Sequence, residues 1–237
     1  METKIDVLDH GFVRLVDWMG SDLAVARAAR QSYDAAWRAG EDEGSDARLI
    51  RYLMRNHHTT PFEAVELQFE VKAPIFVFRQ WVRHRTWSYL SINEVSARYR
   101  ELPAEFYAPA PEDIGVQSAT NKQGRDIEEP DSWGALQLRR AEVEGYENTC
   151  RIAFGRYRSL LDAGWPRELA RMVLPLSTYS DMMVKVDLHN FFGWMTLRSD
   201  PHAQREIRVY AAAMLKLIRP VVPVCTAAWE EIHHATI

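Results

Sequence analysis

The stretch Val65-Glu66-Leu67-Gln68-Phe69-Glu70-Val71-Lys72 constrains the fold more than any other in this chain. Apolar and polar residues alternate over its whole length, the period of a β-strand with one face on a core and the other toward water. Pro74 follows where a first helical residue tolerates proline, and residues 75–83 read as a helix. Gln80 and Arg83, three apart, then share one face at the C-terminal end of that helix.

The rest of the chain builds around this strand. Residues 12–18 alternate well enough for a second strand, and Gly20-Ser21-Asp22 opens a helix running to about Arg30. Ser45 or Asp46 is expected to cap another helix, whose Leu49, Ile50, Leu53 and Met54 keep helical spacing. Residues 111–134 are polar, acidic and rich in glycine and proline, as in a long surface loop. Helical patterns dominate afterwards, over 136–161, 166–172, 187–197, 201–218 and 227–233. No repeat or linker divides the chain. The expectation is one α+β domain over residues 1–237, a small antiparallel sheet carrying several packed helices.

Bulk features remove several classes of function. A net charge of -4 argues against a general polyanion binder. The two cysteines, Cys150 and Cys225, make no disulfide framework and fit a reducing compartment. The first residues hold no apolar signal core, and no apolar run is long enough to span a bilayer, so a cytoplasmic protein is expected.

Against that acidic background one segment stands out: Arg83-His84-Arg85-Thr86-Trp87-Ser88-Tyr89-Leu90-Ser91-Ile92-Asn93-Glu94-Val95-Ser96-Ala97-Arg98-Tyr99-Arg100. Its arginines can hold phosphates by bidentate, charge-assisted hydrogen bonds, and its aromatics offer faces to flat rings. A solvated basic surface would not need serine, asparagine and glutamate interleaved at these positions. Upstream, His57-His58-Thr59-Thr60-Pro61 reads as a polar loop able to bond a ligand; with no partner at a usual ligand spacing, it is a poor metal site. Downstream, Arg171 sits on a short helix stopped by Pro175, where pairing with Glu168 would explain it structurally. In residues 187–198, Leu188, Phe191, Phe192 and Met195 form a buried face, Asp187 suits the N-cap, and Arg198 meets the helix dipole.

Taken together, these groups resemble the flavin-dependent thymidylate synthases, the ThyX family. The match rests on Arg83-His84-Arg85 followed by Ser91-Ile92-Asn93-Glu94-Val95-Ser96-Ala97-Arg98. It extends to residues 58–63, 72–80, 170–175 and 197–210, and residues 111–134 are the main unmatched part. Two departures stand out: a spacer longer than usual by about three residues around Trp87 to Leu90, and Gly193 where family members often carry a side chain that helps hold the flavin.

The resemblance implies methylation of dUMP to dTMP, with 5,10-methylenetetrahydrofolate as carbon donor and NADPH as reductant through FAD. It implies contacts to FAD from His58, Thr60, Arg83, His84, Arg85, Glu94, Asp187 and His189. For dUMP it implies Gln80, Arg83, Glu94, Ser96, Arg98 and Arg171, with Arg198 as the catalytic residue against the uracil ring. It also implies a homotetramer whose sites take residues from several subunits. Two other readings compete. Cysteine attack on the pyrimidine would need an activated thiolate, which the settings of Cys150 and Cys225 do not offer. A nucleic-acid-binding module is disfavoured by the net negative charge and the single short basic cluster.

Overall fold

The structure is a computed structural model and describes residues 2–83, 92–127 and 132–233. His84, Arg85 and the long spacer at Trp87 to Leu90 lie outside the described residues.

Strands β1 (Lys4–Val7) and β2 (Gly11–Met19) form a hairpin, followed by helices α1 (Asp22–Gln31) and α2 (Glu43–Arg55). A 3-10 turn over Thr60–Ala64 leads into β3 (Glu66–Pro74), helix α3 (Ile75–Trp81) and the short strand β4 (Ile92–Glu94). A small hairpin of β5 (Val116–Gln117) and β6 (Arg125–Asp126) precedes the long helix α4 (Trp133–Asp162) and the short α5 (Arg167–Ala170). Strand β7 (Tyr179–Asp187) and helices α6 (Leu188–Arg198), α7 (Arg205–Ile218) and α8 (Pro223–His233) complete the order. The main sheet is five-stranded and antiparallel throughout, in the order β1-β2-β3-β7-β4, as the α+β expectation required.

The alternating stretch is the strand it promised to be. Leu67, Phe69 and Val71 of β3 are fully buried, and opposite them stand the buried Val186, Val184 and Met182 of β7. Val13 and Leu15 of β2 continue this face, and α7 closes over it with Ile207, Tyr210, Ala211 and Met214. Directly paired residues share a face, so the other side is polar, with half-exposed ion pairs Arg14–Glu70, Lys185–Glu66 and Lys72–Glu105. Gly11 is required by close approach, because a Cβ there would overlap the Tyr210 hydroxyl, which donates to the Lys72 carbonyl at 2.7 Å.

Several expectations need correction. The cap of α2 is Asp42, whose carboxylate accepts from the Ser45 amide at 3.0 Å. Asp46 is instead buried, taking two hydrogen bonds from Arg30 and one from the Gly40 amide. Pro74 ends β3 and stands at the N-cap, in extended conformation, and the α-helix stops at Trp81. The helix expected from 201 begins at Arg205, because Pro201 to Ala203 form a turn. The helix expected over 166–172 splits into α5 and a 3-10 turn at Arg171–Val173. β1, β4 and above all the inner strand β7 were not foreseen.

Residues 111–134 are less of a surface loop than composition implied. Arg125 on β6 reaches inward, its Nη2 donating to Glu206 Oε1 at 2.7 Å and its Nη1 to Oε2 at 3.4 Å. Glu206 is 1% exposed, and the Tyr107 hydroxyl donates to it at 3.1 Å. Burial works to raise the Glu206 pKa, but hydrogen bonds from Arg125 and from its own backbone amide, with the Arg125 charge, hold it below the usual carboxylate value.

Arg125→Met is expected to destabilise the fold by roughly 3–5 kcal/mol at neutral pH, since it leaves a buried carboxylate without its cation. In the wild type the lowered pKa adds stability above the unfolded value of about 4.3 and loses it as pH falls. In the variant the cation that offsets burial is gone and that pKa rises, so the deficit should shrink on acidification. Denaturant titrations across acid and neutral pH check both the size and the sign.

Candidate active site

Three helix ends meet beside the sheet. Trp81 at the end of α3 packs on Trp194 of α6 with ring centroids 4.7 Å apart, and edge-on against Tyr210 of α7 at 6.2 Å. All three side chains are buried. Around this aromatic anchor the polar ends of the helices converge. Arg198, the last residue of α6, donates from Nη2 to the Gln80 carbonyl at 3.0 Å, and the Arg83 amide donates to the same oxygen at 3.4 Å. The Gln80 side chain bonds Gln204, the N-cap residue of α7. Burial lowers the Arg198 pKa from its usual value, although an arginine this basic stays cationic.

A second group forms at the other end of α6, about 16 Å away along the helix axis. Asp187 is the N-cap there, accepting from the Asn190 amide at 2.8 Å and from the Asn190 side chain at 2.5 Å. The Leu188 amide donates to the Val65 carbonyl at 2.9 Å, which brings the turn over Thr60–Ala64 against α6. His189 lies just inside the helix and lines a cleft of about 150 Å³ with His57, Thr59, Phe62, Phe192, Gly193, Trp229 and His233. The cleft thus takes His57 and Thr59, each the residue preceding a predicted one. His58 is exposed and meets Tyr52 edge-on at 5.8 Å, and Thr60 starts the 3-10 turn. His57 adopts a left-handed backbone at φ 54°.

Glu94, Ser96 and Arg98 stand on and after the edge strand β4. Glu94 pairs with Met182, and the Val95 amide continues the ladder by donating to the Asp181 carbonyl at 2.9 Å. The Ser96 hydroxyl accepts from the Arg98 amide at 3.3 Å, and the Arg98 side chain is exposed. Arg171 is set apart on the α4–α5 side. Its Nε donates to the Glu168 carbonyl at 3.3 Å rather than to that residue's carboxylate, and exposed Leu169, Met172 and Leu176 surround it in sequence. His84 and Arg85 lie outside the described residues.

Neither cysteine is placed for nucleophilic work. Cys150 is buried, with Sγ 3.7 Å from the Ser177 hydroxyl. Cys225 is fully buried, and burial followed by the nearby Asp22 carboxylate pushes its pKa well above the usual thiol value. Among the described residues no helix is long and apolar enough to cross a membrane.

Known proteins place this geometry in a family. The family model for thymidylate synthase complementing protein matches residues 14–224. The chain belongs to the flavin-dependent thymidylate synthases. It is 47% identical over 235 residues to the flavin-dependent thymidylate synthase of Gluconobacter oxydans, covering 97% of this chain and 73% of that relative. The Thermus thermophilus enzyme of the same name is 48% identical over 227 residues, covering 96% and 78%. Among solved structures, a UMP/dUMP methylase, PolB from Streptomyces cacaoi, bound with 5-Br dUMP, superposes with a TM-score of 0.80 at 36% identity. That superposition covers 96% of this chain and 97% of PolB.

Flavin-dependent thymidylate synthases are thus joined by a chain whose helix junction carries residues that sequence reasoning had left unassigned. Gln204, Glu206 and Arg125 were not singled out. One signal was present: Glu206 sits one helical turn before Tyr210 on the apolar face of α7, where a lone carboxylate demands a partner.

Changing both Cys150 and Cys225 to alanine is expected to cost stability through lost packing while leaving turnover per folded enzyme within about tenfold, because a thiol without an activating base contributes no nucleophile. Activity normalised to bound flavin checks this. A fall beyond about a thousandfold with flavin retained would restore cysteine attack.

Proposed function

We propose that this protein is a flavin-dependent thymidylate synthase that methylates the uracil ring of dUMP to dTMP. In this reading 5,10-methylenetetrahydrofolate donates the carbon, NADPH supplies the reducing equivalents, and FAD is the bound cofactor. The observation that carries it is the junction where Arg198, Arg83 and Gln80 meet, in a chain of this family. Relatives at 47% and 48% identity carry that enzyme's name, and PolB, at 36%, is a UMP/dUMP methylase.

The residues suit the cofactor. Asp187 and His189 at the start of α6, His58 and Thr60 of the preceding loop and turn, and Arg83, His84, Arg85 and Glu94 offer the charge and hydrogen-bonding capacity that a pyrophosphate and a flat ring system require. The cleft under α6 supports this, with Phe192 and Trp229 stacked at 5.8 Å in its wall and open space where a side chain at Gly193 would project. Bound FAD supplies hydride transfer. Toward dUMP, the arginines Arg83, Arg98 and Arg171 match the phosphate, with Gln80, Glu94 and Ser96 as further polar contacts.

The chemical task is to make an unreactive uracil carbon nucleophilic. Arg198, set against the N3–O4 edge of the ring, stabilises the negative charge that develops there. Its bond to the Gln80 carbonyl and the Trp81–Trp194 packing beneath it hold the guanidinium in place without reorganisation. The cleft of about 150 Å³ is small beside the roughly 300–1,000 Å³ of ordinary ligand pockets. With Arg171 set apart among exposed Leu169, Met172 and Leu176, this fits a homotetramer in which each site is completed by other subunits. Residues 1–237 act in this reading as one catalytic domain in the cytoplasm.

The purified protein is expected to absorb in the flavin region and to oxidise NADPH faster with dUMP present. Colourless protein that FAD cannot reconstitute would end the proposal. Arg198→Ala should lower dTMP formation at least a hundredfold, about 3 kcal/mol of transition-state stabilisation, while FAD stays bound. Loss of the bond to Gln80 alone should cost only about 0.5–1.5 kcal/mol of stability. A variant that melts early yet turns over normally once folded would demote Arg198 to a structural tie.

A further inference from the structure

The β5–β6 hairpin and the turn before α7 enclose a further cleft, of about 460 Å³, whose described wall is mainly polar. Three of its residues are arginines, and they are not equally neutralised. Arg125 uses both Nη groups on Glu206, and Arg205 pairs with Asp113 at 2.9 Å. The Arg208 side chain makes no hydrogen bond or ion pair among the described residues, and its Nε–H is shut off from water as well. The Arg125 Nε is enclosed and unbonded in the same way. Asp200 feels the Arg208 charge, but its Oδ1 is occupied by His202, accepting from the amide at 2.7 Å and lying 2.9 Å from the ring Nδ1. Asp126 is the carboxylate of the described wall, and it too makes no ion pair with Arg208. A charged N–H that has neither water nor an acceptor costs its full desolvation free energy, so such a group calls for an anion.

We propose that this cleft binds a phosphate group, with the fork of Arg208 turned into it as the main donor. A planar guanidinium offers Nε–H and Nη–H side by side to two oxygens of one phosphate. Gln204 and Arg205, the N-cap and first residue of α7, belong to the same wall, and no side-chain bond caps that helix end. Its positive potential adds to the attraction for an anion. The volume falls within the roughly 300–1,000 Å³ of ligand pockets, so there is room for the sugar that carries the phosphate. In the functional reading above, on which this step rests, Arg83, Arg98 and Arg171 serve the dUMP phosphate. The 2′-phosphate of NADPH is then the group without a partner. Gln204 also bonds the Gln80 side chain, so a dinucleotide seated here borders the junction of Arg198 and Arg83. A free phosphate ion would satisfy the same donors, and the experiment separates the two sources.

The test measures dissociation constants of NADP+ and NAD+, which differ only in the 2′-phosphate, on the FAD-loaded enzyme by titration calorimetry. Wild type should prefer NADP+ by about tenfold to a hundredfold, and inorganic phosphate should compete with NADP+. Arg208→Gln should remove most of that preference by weakening NADP+ alone. Asp126→Asn takes a negative charge out of the wall and should tighten NADP+ alone. Structural roles for these residues predict equal effects on both dinucleotides or none, and either result overturns the proposal. If Arg208→Gln fails to fold, Arg208→Lys keeps the charge without the fork and should still weaken NADP+ relative to NAD+. Inorganic phosphate that binds through Arg208 while NADP+ and NAD+ bind alike gives the cleft to a free phosphate ion, and the assignment to the reductant falls. Phosphate binding that appears only after Glu128→Gln with Glu129→Gln gives the cleft to the chain's own carboxylates and overturns the proposal as well. Enzyme whose flavin neither NADPH nor NADH reduces sinks the functional reading itself, whereas flavin reduced by both with equal affinity sinks only this proposal.

Discussion

The C-terminal end of α3 is the constraint on which the candidate site depends. A helix ends with carbonyls that have no partner within it, and here the Gln80 carbonyl is met by the Arg198 guanidinium at 3.0 Å. One contact thereby fixes two things, the end of α3 that carries Gln80 and Arg83, and the rotamer of an arginine at the end of α6. The contact is protected from below by Trp81, buried against Trp194 and Tyr210. Aromatic pairs of this kind add about 0.5–1.5 kcal/mol beyond their buried area, and they have few rotamers to lose. A cation poised for electrostatic catalysis needs such support, because its effect depends on not having to move when charge develops.

The charged cluster at the start of α7 works on a different principle. Replacing a buried ion pair with apolar residues is often neutral or stabilising, so stability alone does not explain one. Arg125 and Glu206 are better understood through what they fix: a hairpin of only two residues per strand, too short to hold itself, is tied to a helix whose N-cap residue, Gln204, bonds the Gln80 side chain. The hairpin, the helix end and the candidate substrate contact become one hydrogen-bonded unit.

The two ends of α6 divide the proposed labour. Its N-terminus joins Asp187 and His189 to the turn at Thr60–Ala64, and its C-terminus carries Arg198. A straight helix is a ruler, so the distance between the proposed flavin contacts and the proposed uracil contact is set by eleven helical residues. Glu94, Ser96 and Arg98 reach the sheet edge by another route, through pairing of β4 with β7. Arg171 stays on the α4–α5 flank, held to the Glu168 carbonyl and flanked by exposed apolar side chains, which suits the proposed sharing of sites between subunits.

Elements whose own residues specify them were legible in the sequence. The alternation at 65–72 gave the face and direction of β3, and the apolar spacing of Leu188, Phe191, Phe192 and Met195 marked the buried side of α6. The inner strand β7 was not legible because Met183 places an apolar residue on the polar face and blurs the alternation of Met182, Val184 and Val186. β1 and β4, with four and three residues, are too short for a period to show and exist through their partners. The arginines, histidines and carboxylates of the candidate site could be picked out by type and order, since phosphate and ring recognition demands those groups. Which of them meet was decided by tertiary structure alone. Arg198 and Gln80 are 118 positions apart, and Arg125 and Glu206 are 81 apart. Contacts across such spans arise when helices pack on a common sheet, and no local pattern encodes them.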